Sequence, residues 1–453
     1  MTVIADYIGR TARENVVNAL LKARENEEFN AILSYSEERA LERADKVDSG
    51  EITGRLAGVP FIAKDNFLTL GVTTSAASNF LKDFKAPLQA TAIEKLEAEG
   101  AICIGKANLD AFAHGGSTEN SAFGPTKNAF NQEHVAGGSS GGSAVVVALG
   151  IVPFALGSDT GGSIRQPASF NNVVGIKPTY GTVSRYGVVA MASSTDTIGV
   201  LASSIEDAEL VMDIMSGQDT KDMTTLPDFF APAQLEGPKK IGVIKEFMDE
   251  GVDSEVKAAT EQYIEALKQK GHVVEEVSMS LLKYALAIYY IVVPAEISSN
   301  LGRYDGVRYG ARAEAGTLGE LYGLSRDQGF MQENKRRIMI GSYVLSSGFF
   351  DAYYLQAQKA RTLLVDEFNT LFKTYDALIG PVAPTPAFKL GENTSDPVKM
   401  YLADIMTVPA SLAGLPAISV PAGKSQNGLP IGVQLIGARK SDALLMALAK
   451  EVE

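Results

Sequence analysis

Two glycine-rich serine stretches hold the residues best suited to chemistry: Gly137-Gly138-Ser139-Ser140-Gly141-Gly142-Ser143 and Ser158-Asp159-Thr160-Gly161-Gly162-Ser163-Ile164-Arg165. Glycine lets backbone N–H groups converge on one point without side-chain obstruction, and serine supplies a hydroxyl. Together they suggest a covalent serine site with its own oxyanion hole. A serine alcohol is a weak nucleophile and needs a base. The chain has only three histidines, His114, His134 and His272, which makes a lysine base the alternative. The segment Gly58-Val59-Pro60-Phe61-Ile62-Ala63-Lys64-Asp65-Asn66 reads as a short apolar strand that delivers Lys64 at its polar end. To act as a base near neutrality a lysine must fall from about 10.4 to about 7, a cost of about 4 kcal/mol that burial supplies.

Other chemistries fit less well. The first stretch also matches Gly-x-Ser-x-Gly, the nucleophile elbow of α/β-hydrolases, but that elbow follows a strand directly and needs a later histidine. Here the polar Asn131-Gln132-Glu133-His134 precedes it and only His272 follows. Gly423-Lys424-Ser425 imitates the end of a phosphate-binding loop, yet Ile418 stands where the first glycine belongs and Pro421 interrupts it. No cysteine–histidine cluster has metal-ligand spacing, so no metal centre is expected. The single cysteine, Cys103, lies in the apolar run Ala101-Ile102-Cys103-Ile104 and reads as a buried core thiol.

The elements that must position these residues alternate between helix and strand. Apolar spacing from about residue 11 to residue 47 predicts two amphipathic helices before the lysine strand. The stretch after Thr91 reads as a helix stopped by Gly100, followed by a strand at 101–104. Ser143 to Leu149 is apolar on every side, a buried helix, and Ile151 to Leu156 is a central strand entering the second serine stretch. Lys240–Ile244, Ser254–Lys270 and His272–Val274 repeat strand, helix, strand. The region 280–374 is mostly helical in period, and Pro381 to Pro386 reads as a rigid connection. Asn427-Gly428 between two apolar runs is a hairpin signature. The expected fold class is α/β, with residues 1–50 a helical segment packed on a single catalytic domain at 51–453.

With 45% hydrophobic and 21% charged residues the chain has ample core material, and its net charge of −13 repels phosphate backbones, so contact with RNA is expected to belong to a partner. The N-terminus lacks a basic segment followed by an apolar one, and the longest apolar stretch, Ala144 to Gly157, stops short of the roughly 18 residues a membrane span needs. A soluble cytoplasmic protein without membrane contact is the expectation.

Lys64 and the two serine stretches, in this order and spacing, resemble the amidase signature family and its Ser-Ser-Lys triad. The resemblance implies a large mixed β-sheet covered by helices on both faces. It implies that Ser163 attacks an amide carbonyl, that Ser139 relays the proton to neutral Lys64, and that the amides of Thr160, Gly161, Gly162 and Ser163 form the oxyanion hole. Within the family, several stretches resemble the glutaminase subunits of tRNA-dependent amidotransferases. They are Ser117–Thr126, Arg303–Gly310, Lys335–Met339, Met400–Ile405 and Leu412–Pro416. That likeness implies free glutamine as substrate, its carboxylate on Arg337, its ammonium on Asp404, and Tyr289 lining the same pocket. It further implies a B subunit, a kinase and transamidase that uses ATP and magnesium to convert Glu-tRNA(Gln) to Gln-tRNA(Gln) and makes most of the tRNA contact. A small C subunit would complete a heterotrimer, a carbon–nitrogen ligase with glutamine as amido donor, and this chain would bind no cofactor. Alternatives are a stand-alone amidase for a small amide and a catalytically idle scaffold. The chain departs from the pattern at His114-Gly115-Gly116, Ala136 and Asn171-Asn172.

Overall fold

The computed structural model describes residues 2–249 and 251–453. Its centre is one mixed sheet of 11 strands. They are β1 (Ile32–Tyr35), β2 (Pro60–Lys64), β3 (Ile102–Ala107), β4 (Phe154–Asp159), β5 (Val174–Lys177), β6 (Thr197–Ala202), β7 (Lys240–Ile244), β8 (Val273–Val277), β9 (Ala377–Pro381), β10 (Ala417–Lys424) and β11 (Pro430–Gly437). Their order across the sheet is β1-β3-β2-β4-β6-β5-β10-β11-β9-β7-β8. β2 runs parallel to β3 and β4, β7 runs parallel to β8 and β9, and the strands between are antiparallel.

The helices are α1 (Ala12–Glu25), α2 (Glu37–Asp48), α3 (Thr91–Ala98), α4 (Gly141–Ala148), α5 (Arg165–Phe170), α6 (Ile205–Met215) and α7 (Ser254–Gln269). They continue with α8 (Ala285–Asn300), α9 (Leu318–Gly329), α10 (Gln332–Val344), α11 (Leu355–Leu371), α12 (Pro397–Leu402), α13 (Val408–Leu412) and α14 (Asp442–Lys450).

Central strands are buried on both sides, and the period-2 alternation of their side chains sorts them between two layers of helices. Phe61, Ala63, Phe154 and Leu156 face one core with Ile93 and Leu96 of α3, Val211 and Met212 of α6, and Leu445 of α14. Ile62 and Ala155 face another core with Val16 and Leu20 of α1 and Ala144 to Val147 of α4. Further along the sheet, Leu378 and Ile436 meet α8 and α11 through Ile288, Leu364 and Phe368. The sheet is therefore covered by helices on both faces, as the family resemblance implies.

Several elements differ from the sequence reading. Residues 1–50 supply α1 and α2 but also β1, which pairs antiparallel with β3 at the sheet edge. A four-residue strand between two helices is too short to leave a periodic signal. β5 and β6 have no counterpart in that reading, and β9 ends at Pro381, where only a rigid connection was expected. The longest apolar helical run among the described residues is Leu282–Arg303, not Ala144–Gly157, with a mean hydropathy of 1.2 over an 18-residue window that is half buried. Its tyrosines and serines interrupt any unbroken apolar string, so only a windowed average reveals it. This run packs on α10 and α11, and Gly341 of α10 lies so near Pro294 that a Cβ there would stand 1.9 Å from the proline carbonyl oxygen.

Phe61 is fully buried and stacks on Phe154 at 5.4 Å. Phe61→Ala is expected to lower the unfolding free energy by about 3–5 kcal/mol, read from urea unfolding, because the rigid sheet beneath it cannot collapse into the cavity.

Candidate active site

Lys64 is the last residue of β2 and shares its face with Ile62, the face covered by α4. The loop that opens α4 carries Ser139, so strand alternation alone aims the amine at that loop. Lys64 is fully buried. Its Nζ lies 2.8 Å from Ser139 Oγ, 2.9 Å from Ser158 Oγ and 3.3 Å from Ser158 O. Desolvation lowers its pKa to about 7, with Asp110, Asp159 and Asp196 pulling weakly the other way. A neutral amine has two N–H bonds and one lone pair, so two donations to Ser158 leave the lone pair for the Ser139 hydroxyl proton. Asn66 Nδ2 also donates to Ser158 Oγ at 3.1 Å and holds that acceptor in place.

The two glycine-rich loops differ in what their amides do. In the first, Gly138 N donates to Gln166 Oε1 (2.9 Å), Ser140 N to Ser163 O (3.1 Å), Gly141 N to Thr118 Oγ1 (3.1 Å) and Gly142 N to Asn108 O (3.1 Å). Those four amides are engaged and are not open to an oxyanion. Its glycines instead admit neighbours: a Cβ on Gly138 would lie 2.3 Å from Asp110 Oδ2, and one on Gly142 would lie 2.5 Å from Ala31 O.

In the second loop, between β4 and α5, the amides of Thr160, Gly161, Gly162 and Ser163 have no acceptor among the described residues. Four neighbouring donors without partners, beside a serine that is 9% exposed, can serve a developing oxyanion. The loop is braced from outside: Thr407 Oγ1 donates to Gly161 O at 2.7 Å, and Thr160 Oγ1 donates to Asp196 at 2.7 Å. Gly162 sits at φ +150°, and a Cβ there would stand 2.1 Å from Thr407 Oγ1, so only glycine fits.

A fully buried ion pair closes this loop at its base. Arg165 donates from Nε and a terminal nitrogen to the two Asp159 oxygens, each at 3.1 Å, and its other contacts are Gln434 Oε1 (3.1 Å) and Ser411 Oγ (2.9 Å). Asp159 also accepts from Ile164 N, and the guanidinium beside it holds its carboxyl below the usual range. The pair thus joins the residue before the loop to the first residues after it.

Arg337 of α10 borders a cavity of about 280 Å³ that is also lined by Gly115, Gly116, Ser117, Glu333 and Tyr401. Its Nε donates to Glu333 Oε1 at 2.8 Å, one helical turn away, and Tyr401 Oη donates to the same oxygen at 2.9 Å. The guanidinium lies over the rings of Tyr290 (5.4 Å) and Tyr401 (5.8 Å), which stack on each other at 3.8 Å. Its terminal nitrogens have no acceptor among the described residues and remain able to grip a carboxylate. Asp404 is 9% exposed, and its carboxylate lies 3.5 Å from where a Cβ on Gly116 would stand, so it adjoins the cavity wall. Burial raises its pKa to about 7, with Arg337 opposing.

The Tyr289 hydroxyl stands 2.6 Å from where a Cβ on Gly161 would be, against the second loop and within the electrostatic reach of Arg337 and Asp404, while the ring of Tyr290 is the one that lies under the Arg337 guanidinium. Glu333, Tyr290 and Tyr401 were missed in the sequence, although Glu333 and Arg337 are separated by one helical turn, the spacing of an ion pair. A second cavity, about 210 Å³, is lined by Asn66, Ser158, Thr160 and Asp196. His272 plays no part here: its Nε2 lies 3.0 Å from Glu451 and its Nδ1 accepts from Lys239 N. Two of the residues that depart from the family pattern touch each other, with Asn171 Nδ2 donating to Ala136 O at 2.7 Å.

A large helix-covered mixed sheet that presents a buried lysine to two glycine-rich serine loops defines a class of amide hydrolases, and this chain belongs to the Amidase family, whose model matches residues 15–446. It is similar to the A subunit of glutamyl-tRNA(Gln) amidotransferase from Koribacter versatilis, at 48% identity covering 100% of this chain and 98% of the relative. The protein of the same name from Thermosynechococcus vestitus is 52% identical over 94% of this chain and 90% of its own length. Among solved structures, that of the glutamyl-tRNA(Gln) amidotransferase A subunit from Thermotoga maritima matches with a TM-score of 0.83 at 39% identity, covering 100% of this chain and 94% of that one. The 6-aminohexanoate cyclic dimer hydrolase matches with a TM-score of 0.87 at 25% identity, covering 100% and 96%.

Replacing Arg165 by Met leaves Asp159 charged and unpaired in the core. Urea unfolding is expected to show a loss of about 3–5 kcal/mol, and a loss below about 1 kcal/mol would contradict the bracing role given to this pair.

Proposed function

We propose that this chain is the glutaminase subunit of a tRNA-dependent amidotransferase, hydrolysing glutamine through an acyl-enzyme and supplying ammonia for amidation of Glu-tRNA(Gln). The observation that carries the reading is the 2.8 Å approach of fully buried Lys64 to Ser139. The similarity along the whole chain to amidotransferase A subunits supports the choice of substrate.

In this scheme Ser163 Oγ attacks the side-chain amide carbon, passes its proton to Ser139 Oγ as the Ser139 proton moves to Lys64 Nζ, and becomes acylated. The amides of Thr160, Gly161, Gly162 and Ser163 receive the oxyanion. The proton on Lys64 returns by the same relay to the departing ammonia, and water then releases glutamate. Arg337 takes the substrate carboxylate with the two nitrogens that Glu333 leaves free, Asp404 takes the ammonium, and Tyr289, set against Gly161, lines the same pocket. ATP, magnesium and tRNA belong to a B subunit, and a small C subunit joins the two. This chain needs no cofactor for its own step.

Ser163→Ala is expected to abolish glutamine hydrolysis with the fold intact by circular dichroism; turnover at the unaltered rate would exclude the triad. The pH profile carries a second test. Lys64 must be neutral to act, and its lowered pKa of about 7 means that activity rises with pH through about 7 and is lost below it. Asp404 must be ionised to hold an ammonium, and its raised pKa of about 7 removes binding over the same range. On the acid side kcat/KM for glutamine is therefore expected to fall with a slope approaching two protons, and for a simple uncharged amide with a slope of one. Equal slopes would contradict Asp404. Asp404→Ala and Arg337→Ala should each depress glutamine hydrolysis by about 2–5 kcal/mol of transition-state stabilisation while sparing the uncharged amide. Equal losses on both would refute the pocket, and no loss on either would favour a stand-alone amidase.

A further inference from the structure

Among the buried carboxylates that the proposed chemistry does not use, Asp110 adjoins the first serine loop. Asp110 is fully buried. Its Oδ2 accepts from Thr118 N at 2.9 Å and its Oδ1 from Asn120 N at 3.0 Å. The carboxylate thus pins the backbone of Thr118, which sits at φ +61°, a left-handed conformation costly for a β-branched residue and retained only when its surroundings enforce it.

What this conformation accomplishes is visible in the threonine hydroxyl. Thr118 Oγ1 donates to Gly137 O at 2.7 Å and accepts from Gly141 N at 3.1 Å. Gly137 and Gly141 are the two ends of the turn that carries Ser139. One hydroxyl therefore ties both ends of that turn together, using its donor and an acceptor position. The fit leaves no room for side chains: a Cβ on Gly141 would lie 2.3 Å from Thr118 Oγ1, and one on Gly138 would lie 2.3 Å from Asp110 Oδ2. Two of the glycines in the first serine stretch are thus accounted for by the approach of Asp110 and Thr118.

We propose that Asp110 and Thr118 form a clasp that holds Ser139 in line with Lys64, and that both are positioning residues for the proton relay; the inference rests on the triad reading above. The clasp acts on both directions of the relay: the transfer in which Ser163 gives its proton to Ser139 as Ser139 gives its own to Lys64, and the return of that proton to the departing ammonia, which only an amide needs. Asp110 also borders the cavity that Arg337 lines, whereas Thr118 does not, so Thr118 carries the cleaner test.

The test compares Thr118→Val, which keeps the shape and removes the hydroxyl, with Thr118→Ser, which keeps the hydroxyl, both in the full-length chain. Thr118→Val is expected to lower kcat for glutamine about 100-fold with KM within about twofold, since misplacement of a reacting group by about 1 Å costs that much. An activated ester, whose leaving group departs without a proton, should lose about tenfold at most. Thr118→Ser should recover to within about fivefold of the unaltered protein. Asp110→Asn, which keeps the size but reverses one acceptor, should resemble Thr118→Val and should also lose more on glutamine than on the ester. Equal losses on amide and ester, a rise in KM in place of a fall in kcat, or failure of serine to rescue would overturn the clasp. If Thr118→Val does not fold, as judged by circular dichroism, Asp110→Asn and Thr118→Ser decide by the same amide-to-ester ratio. Ser163→Ala, run alongside, separates the two failures: activity in that variant overturns the triad itself, whereas an inactive Ser163→Ala beside a fully active Thr118→Val overturns the clasp alone.

Discussion

The site depends on keeping an amine out of water. Lys64 has no carboxylate partner among its hydrogen bonds, only hydroxyl and carbonyl oxygens, so nothing compensates a positive charge there at close range. Charging it costs more than leaving it neutral, and the protein places the residue at the end of a central strand where helices cover both faces. The sheet, the packing of α4 and the serines around Nζ all serve that one condition. Lys106, on the neighbouring strand β3, provides the contrast: it is equally buried, but Asp65 stands 3.1 Å from its Nζ, and the pair has a structural role. Two buried lysines on adjacent strands thus differ through their partners, not through their depth.

The same logic separates the two charged ends of the site. Arg337 keeps its charge because Glu333 balances it and two aromatic rings shield it, whereas Asp404 is held by burial close to its own protonation point. An apolar ligand would gain nothing from this arrangement. A ligand with a carboxylate and an ammonium a few ångströms apart relieves both at once.

Much of this was legible in the sequence, and the remainder was hidden for physical reasons. The order Lys64, Ser139, Ser163 could be read because glycine-rich loops leave a compositional mark and a lysine ending an apolar strand is unusual. The helix–strand alternation around 240–274 and the Asn427-Gly428 hairpin were legible because their periods are clean. β5 and β6 were not, since short buried strands carry no alternation to distinguish them from other apolar runs. The contacts of Asp110 with Thr118, of Asp159 with Arg165, and of Thr407 with the second loop were equally hidden. Each depends on backbone torsions or on residues hundreds of positions apart, and neither leaves a pattern in composition. The two glycine-rich loops look alike as sequence but differ in whether their amides are free, which only hydrogen-bond geometry reveals.

Lys64, Ser139, the loop at 160–163 and the Asp159–Arg165 pair all fall before residue 170, whereas Glu333, Arg337, Tyr401 and Asp404 come from the helical layer that follows much later. In the proposed scheme bond cleavage and most of ligand choice therefore occupy separate stretches of chain, which meet where Arg165 reaches Ser411 and Gln434, where Asn334 reaches Ala111, and where Thr407 and Tyr289 lean on the second loop. A lineage can redraft the later layer to accept a new amide while inheriting the cleavage apparatus unaltered. The points where the two layers touch are where such redrafting meets its strictest limits.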